Sequence, residues 1–158
     1  MLPFHRILVT TDFSDTSLTA IPAAVELASH FDAEIVLVHI LPVDAPTPWD
    51  IPPYADFGLA SSPLPEYERQ VRDEVERRLA QVAAQNAPNG VKLRAVVGRG
   101  DPAAEVGRIA QTEKIDLIVL ATHGWTGWRH LVFGSVAEKI LREAPCPVLS
   151  VRKSPPVA

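Results

Sequence analysis

Two short segments of this sequence carry residues suited to holding an anion and a sugar. The first is residues 121–135, ATHGWTGWRHLVFGS, which lies between the apolar run Ile115-Asp-Leu-Ile-Val-Leu120 and the helix-like run Val136-Ala-Glu-Lys-Ile-Leu141. The first turn of a helix presents backbone N–H groups with no intrahelical partner at the positive end of its dipole, and glycine lets an anion come close to the chain. Gly134 and Ser135 suit such a helix start, and Ser135 adds a hydroxyl donor. Gly124 and Gly127 can bend the preceding loop around further phosphate oxygens, with Arg129 or His130 as optional positive charge. That is the chemistry of a polyphosphate cradle. The second segment is Thr10-Thr11-Asp12-Phe13-Ser14, which follows the apolar run Ile7-Leu-Val9. A carboxylate at the end of a strand is a good acceptor for ribose hydroxyls.

Other chemistries fare worse. A Walker loop needs GxxxxGK[ST], and no lysine precedes Ser135. Thr10-Thr11-Asp12 holds no glycine, so the dinucleotide fingerprint GxGxxG is missing after the first strand. His39 and His123 both end strands, but no third ligand at useful spacing accompanies them, and they read as satisfied or partly buried histidines. No metal ligands are assigned. The lone cysteine, Cys146, lies in Ala-Pro-Cys-Pro-Val and reads as an inert core thiol. Arg99-Gly-Asp101 spells an adhesion tripeptide by chance, since Asp101-Pro102 is a helix cap followed by proline at the first helical position. Trp125 and Trp128 fit an exposed pair awaiting a partner or a lid packed on its own loop, with neither favoured, and Gly127 reads as a turn residue. No base pairs with a positioned nucleophile, so no catalytic residue is assigned and any hydrolysis should be slow.

The elements that must position these segments alternate along the chain. Ile7–Val9, Ile35–Ile40, Lys92–Val97, Leu117–Leu120 and Val148–Val151 are short runs rich in β-branched residues, several too continuously apolar for a sheet with a wet face. Between them, Leu18, Ile21, Val25 and Ala28 share one helical face, as do Tyr67, Val71, Val75, Leu79 and Val82, then Val106, Ile109 and Ala110, then Val136, Ile140 and Leu141. Ser14 or Asp15 can cap the first helix, and Pro22 within it predicts a kink. In the second helix Glu68 with Arg72, Asp73 with Arg77 and Glu74 with Arg78 have the spacing of a solvated face. Residues 42–65 hold seven prolines without period and read as a long, mobile loop. The expected architecture is α/β: a doubly wound, open, five-stranded parallel sheet in the order 3-2-1-4-5 with helices on both faces. In such sheets the ligand crevice lies beyond the carboxyl ends of the strands where the winding reverses, so the segments after the first and fourth strands should face one another.

At 158 residues one domain over 1–158 is expected. An apolar share of 47% and a charged share of 22% are those of a soluble globular protein. A formal charge of −4 with no basic cluster disfavours nucleic acid as a partner. No apolar run approaches the roughly 20 residues of a membrane span, and Met-Leu-Pro-Phe-His-Arg carries no signal segment, so a cytoplasmic location without membrane association is expected.

Read from Ala121, the first segment is Ala-x2-Gly-x9-Gly-Ser, which resembles the Gly-x2-Gly-x9-Gly-[Ser/Thr] motif of the ATP-binding branch of the universal stress protein family. Ile7-Leu-Val-Thr-Thr-Asp-Phe-Ser14, Leu37-Val-His-Ile40, Gly98-Arg-Gly-Asp-Pro102, Gly134-Ser-Val-Ala-Glu138 and Ala144-Pro-Cys-Pro-Val-Leu149 also look like landmarks of that family in the right order. The resemblance covers essentially the whole chain. It implies ATP, ADP or AMP as ligand, with Mg²⁺ or Mn²⁺ held mainly through the phosphates. Asp12 would contact the adenosine with Thr10 and Thr11 beside it, and Ile40 would line the adenine pocket. Ala121, Gly124, Gly134 and Ser135 would run along ribose and phosphates, with Val136 supplying a further N–H. Ala121 replaces the first motif glycine, a change compatible with a negative φ at a strand end, and Thr10 stands where proline is common. The implied function is a nucleotide-responsive stress or regulatory module that dimerises through the edge strand Val148–Val151. The alternative is a nucleotide-independent dimeric scaffold.

Overall fold

The structure is a computed structural model that describes residues 2–43, 64–88, 90–122 and 134–152. Strands β1 (Arg6–Thr10), β2 (Glu34–Leu41), β3 (Leu93–Arg99), β4 (Leu117–Thr122) and β5 (Val148–Arg152) form one parallel sheet in the order β3-β2-β1-β4-β5. Helices α1 (Asp15–Leu18), α2 (Ala20–Phe31), α3 (Leu64–Asn86), α4 (Pro102–Thr112) and α5 (Ser135–Glu143) join the strands.

Side chains alternate along a strand, so a central strand must be apolar on both faces to be buried on both. Ile7, Val9, Ile35, Leu37, Leu117 and Val119 pack on one face against Ala20, Ile21, Ala24 and Ala28 of α2 and Leu79 and Ala83 of α3. Their neighbours Leu8, Val36, Val38, Ile118 and Leu120 pack on the other face, against Ala103, Val106, Ile109 and Ala110 of α4 and Ile140 of α5. Small residues on α2 and α4 let the helix backbones lie close to the sheet. At the amino ends of the strands, the Asp116 carboxylate accepts the His5 and Arg6 amides at 2.8 and 2.9 Å. Arg94 bridges Glu34 and Glu113 beside it. This tie holds β1, β2 and β3 in register at the end remote from the cavity described below.

The helix boundaries follow local chemistry. Ser14, not Asp15, caps α1, accepting the Ser17 amide on its hydroxyl at 3.1 Å. Asp101 caps α4 through the Ala104 amide at 2.9 Å, with Pro102 as the first helical residue. Two expectations need correction. The Pro22 region is interrupted instead of kinked: α1 ends at Leu18 and α2 begins at Ala20, with Thr19 between them at helical dihedrals. Pro22 lacks the N–H that would have bonded back to Leu18, so the join has no reason to stay continuous. The charges of α3 also pair otherwise than their spacing suggested. Arg72 reaches Glu76, Arg77 pairs with Glu74, and Glu68 is drawn to Arg99 on β3, because a tertiary bidentate partner outcompetes an exposed neighbour one turn away. Of the expected loop over 42–65, residues 44–63 lie outside the described residues, and its last two positions instead begin α3.

Ile118 is fully buried between β1 and β5 under α4 and α5. Ile118→Ala should cost about 2–5 kcal/mol in urea unfolding, whereas Leu141→Ala on the exposed side of α5 should cost well under that. Equal losses would contradict the two-faced core.

Candidate functional site

β1 lies between β2 and β4, and the chain leaves these neighbours in opposite directions. After β1 it turns into α1 and α2 on one face; α5, which follows β4 in the chain, lies on the other. The gap at the carboxyl ends is a cavity of about 400 Å³. Its floor and walls are largely apolar: Val38 and Ile40 from β2, Leu120 from β4, Val106 from α4 and Ile140 from α5. Its polar rim comes from two places. Thr10, Thr11, Asp12 and Ser17 contribute from β1 and α1, and Gly134 and Ser135 from the start of α5.

Of the residues singled out from sequence, Thr10, Thr11, Asp12, Ile40, Ala121, Gly134, Ser135 and Val136 all line this one cavity. Gly124 and Arg129 lie outside the described residues, as do His123, Trp125 and Trp128. Ala121 sits within β4 and is not among the residues of positive φ, so its methyl group needs no unusual backbone.

The turn after β1 is fixed by its own polar groups. The Thr11 amide continues the ladder to the Val38 carbonyl at 2.9 Å, and the Thr11 hydroxyl accepts the Phe13 amide at 3.0 Å and meets the Ser17 hydroxyl at 2.9 Å. Asp12 is exposed at the rim. Its Oδ1 accepts both the amide and the hydroxyl of Ser14, at 2.9 and 2.6 Å, while the described residues give Oδ2 no hydrogen bond. Burial acts to raise the Asp12 carboxyl, but the hydrogen bonds from Ser14, aided by Ser17, outweigh it and hold the group below its ordinary value. Asp12 is therefore a carboxylate at neutral pH with one oxygen anchored and the other available to an incoming donor.

Across the cavity, α5 opens on Gly134, which makes no side-chain cap. The amides of Ser135, Val136 and Ala137 occupy the first turn, whose N–H groups have no intrahelical acceptor. Gly134 has an ordinary extended backbone, φ −56° and ψ 144°, and a Cβ built on it meets none of the described residues within 4 Å. Neither its backbone nor packing against the described residues asks for glycine here; its effect is to leave the helix start without a side-chain cap. Gly98 is the opposite case. A Cβ there would lie 2.6 Å from Ile40 Cδ1 and 2.9 Å from Glu105 Cγ, so this glycine lets Ile40 lie down as part of the cavity wall. Lys139 of α5 donates to the Asp101 carboxylate at 3.0 Å, which ties α5 to the cap of α4 and fixes the two helices that flank the cavity.

His39 is a satisfied histidine, as expected: its Nδ1 lies 2.8 Å from the Thr11 carbonyl, which can only accept, so Nδ1 carries the proton. Burial holds its pKa below the usual value despite the opposing pull of Thr11 and Asp12. Cys146 is half-buried, and burial with the nearby Asp116 pushes its thiol up, away from reactivity. The Thr122 hydroxyl is buried at the end of β4 with no partner among the described residues. Among those residues no three His, Cys, Asp or Glu side chains converge on a metal position, and no helix is long and apolar enough to cross a membrane. Motif spacing does not reveal Gly98 as a packing residue or the Lys139 tie, because Gly98 meets Ile40 of the neighbouring strand and Lys139 meets Asp101, 38 positions away, only in the folded chain.

Comparison with known proteins bears on the family and the fold. The model of the Universal stress protein family matches residues 3–152. A universal stress protein of Methanocaldococcus jannaschii is 35% identical over 150 residues, covering 95% of this chain and 83% of that protein. A second protein of that organism has a solved structure similar to this fold, with TM-score 0.73 and 22% identity over 96% of this chain and 98% of its own. A universal stress protein from Archaeoglobus fulgidus, solved in complex with dAMP, superposes with TM-score 0.62 at 17% identity, covering 95% and 98% of the two chains.

Because the folded Asp12 pKa lies below the unfolded value, its contribution to stability is complete at neutral pH and is lost as pH falls through the folded value. A carboxyl-carbon NMR titration should place Asp12 below 3.8, and Ser14→Ala should move its midpoint upward. An unmoved midpoint would contradict the anchoring role given to Ser14.

Proposed function

We propose that this chain, which belongs to the universal stress protein family, is an adenosine-nucleotide-binding module whose ligand lies between Asp12 and the start of α5. The observation that carries the reading is the juxtaposition across one 400 Å³ cavity of an anchored carboxylate and an uncapped, glycine-opened helix start. An apolar wall suits a base, a carboxylate with a free oxygen suits ribose hydroxyls, and helix-start amides suit phosphate. In this reading Ile40 flanks the base with Val38, Thr10, Thr11 and Asp12 hold the ribose side, and Ala121, Gly134, Ser135 and Val136 follow the phosphates. Gly124 and Arg129 complete the cradle from outside the described residues. The A. fulgidus relative in complex with dAMP supports an adenine nucleotide as the ligand class.

ATP is the proposed ligand, with ADP and AMP as lesser forms of the same chemistry. Mg²⁺ or Mn²⁺ would be held through phosphate oxygens, since the described residues of the cavity bring one carboxylate, Asp12, and no ligand cluster. Among the described residues the cavity presents no base aimed at a nucleophile, and the proposed output is ligand occupancy, with hydrolysis slow at most. We further propose a cytoplasmic homodimer formed through β5. Val148–Arg152 is the sheet edge, and Leu149 is 39% exposed on it, which suits pairing with its twin across a two-fold axis. A nucleotide-independent dimeric scaffold would share that edge but ignore the cavity.

Ligand that binds only the folded state raises stability by about 2.7 kcal/mol at one hundred times its dissociation constant. Millimolar ATP with Mg²⁺ should therefore raise the melting temperature of the wild type. Gly134→Val, whose side chain enters open space, should leave the ligand-free melting temperature in place and abolish the rise. A wild type indifferent to ATP would overturn the reading in favour of the scaffold. In light scattering, Leu149→Arg should halve the mass of the assembly; an unchanged mass would place the dimer contact elsewhere or nowhere.

A further inference from the structure

His39 takes no part in the cavity's proposed chemistry, yet it touches the residues on both sides of Asp12. Strand alternation puts its side chain on the face of Ile35 and Leu37, towards α2 and α3, and away from Ile40. From there Nδ1–H donates to the Thr11 carbonyl at 2.8 Å. The ring also lies against Phe13, with centroids 4.5 Å apart and planes at 31°. Phe13 has φ 64°, a left-handed conformation that a side chain of this size rarely adopts and that its surroundings must hold. Those surroundings are the His39 ring, the Arg78 guanidinium of α3 at 4.5 Å from the Phe13 centroid, and the Thr11 hydroxyl that accepts the Phe13 amide. The left-handed turn at Phe13 brings the Ser14 amide and hydroxyl back onto Asp12 Oδ1. The charged groups acting on the imidazole are Asp12 from the turn and Arg78 from α3.

We infer that His39 is a positioning residue for the sugar-binding carboxylate: by gripping Thr11 through a hydrogen bond and Phe13 through its ring, it sets the direction in which Asp12 Oδ2 faces the cavity. The inference rests on the nucleotide reading above and adds a residue at the cavity lining that acts on ligand discrimination through the aim of Asp12. Its specific consequence concerns ribose. A misaimed Asp12 loses the sugar hydroxyls but leaves the base wall and the helix-start amides intact, so only ligands bearing those hydroxyls should suffer.

Titration calorimetry with ATP and with 2′,3′-dideoxy-ATP, each with Mg²⁺, tests this. The wild type should prefer ATP by about tenfold or more, the range of a hydrogen bond to a charged group. His39→Leu should bring the two affinities together by weakening ATP alone. His39→Asn, whose amide can donate where Nδ1 did, should recover part of the preference. Equal weakening of both ligands by His39→Leu, or no change in their ratio, would overturn the positioning role while leaving the nucleotide reading standing. Failure of the wild type to bind either ligand would sink that reading and this inference together. Should His39→Leu not fold, the imidazole nitrogen resonances of the wild type serve instead: they should shift on saturation with ATP and not with the dideoxy analogue, and equal shifts or none would overturn the role.

Discussion

The constraint on which this molecule depends is that neighbouring parallel strands cannot be joined by a turn. Each strand must be followed by a crossover, and the crossovers must cover both faces of a sheet that is apolar on both. In the order β3-β2-β1-β4-β5 the elements after β1 and β4 cover opposite faces, so among the described residues nothing fills the space between those two strand ends. The cavity is thus a consequence of how the sheet is buried, not a feature added to it. The same burial supplies its walls, since Val38, Ile40, Leu120, Val106 and Ile140 belong at once to the α4/α5 core and to the cavity lining.

The polar side of the cavity follows from a second constraint, that backbone donors near a protein interior need acceptors. In the turn after β1 the amides from Thr11 to Ser14 are answered locally: Thr11 by Val38, Asp12 by the Ser17 hydroxyl, Phe13 by the Thr11 hydroxyl and Ser14 by Asp12, and the Ser14 hydroxyl in turn answers Ser17. At the start of α5 the described residues supply no equivalent answer, because Gly134 has no side chain to cap with. One rim of the cavity is therefore a finished network ending in a carboxylate, and the other is a set of donors still open. This asymmetry is what an elongated ligand with hydroxyls at one end and negative charge at the other would satisfy.

Much of this was legible before folding. Runs such as Ile7–Val9 and Leu117–Leu120 have few options but central strands, and their alternation with amphipathic helices leads to the sheet and its order. The place of the cavity follows from that order, and eight of the ten residues singled out line it, the remaining two lying outside the described residues. What sequence could not supply were interactions decided by tertiary competition. Glu68 leaves its helical neighbour for Arg99, and Arg78, expected to pair with Glu74, lies over Phe13. Both choices depend on which strand or turn α3 happens to cross. Nor does any propensity point to a left-handed phenylalanine at 13; its conformation exists because His39 and Arg78 are there to hold it.

The central claim is that the open amides of the α5 start receive the anionic end of a nucleotide whose sugar lies at Asp12. Residue-resolved amide hydrogen exchange with and without ATP addresses it directly. The account predicts slowed exchange at Ser135 and Val136 together with Asp12, and unchanged exchange at the opposite end of the sheet around Arg6 and Asp116. Protection that is absent from the α5 start, or spread evenly over the chain, would contradict it.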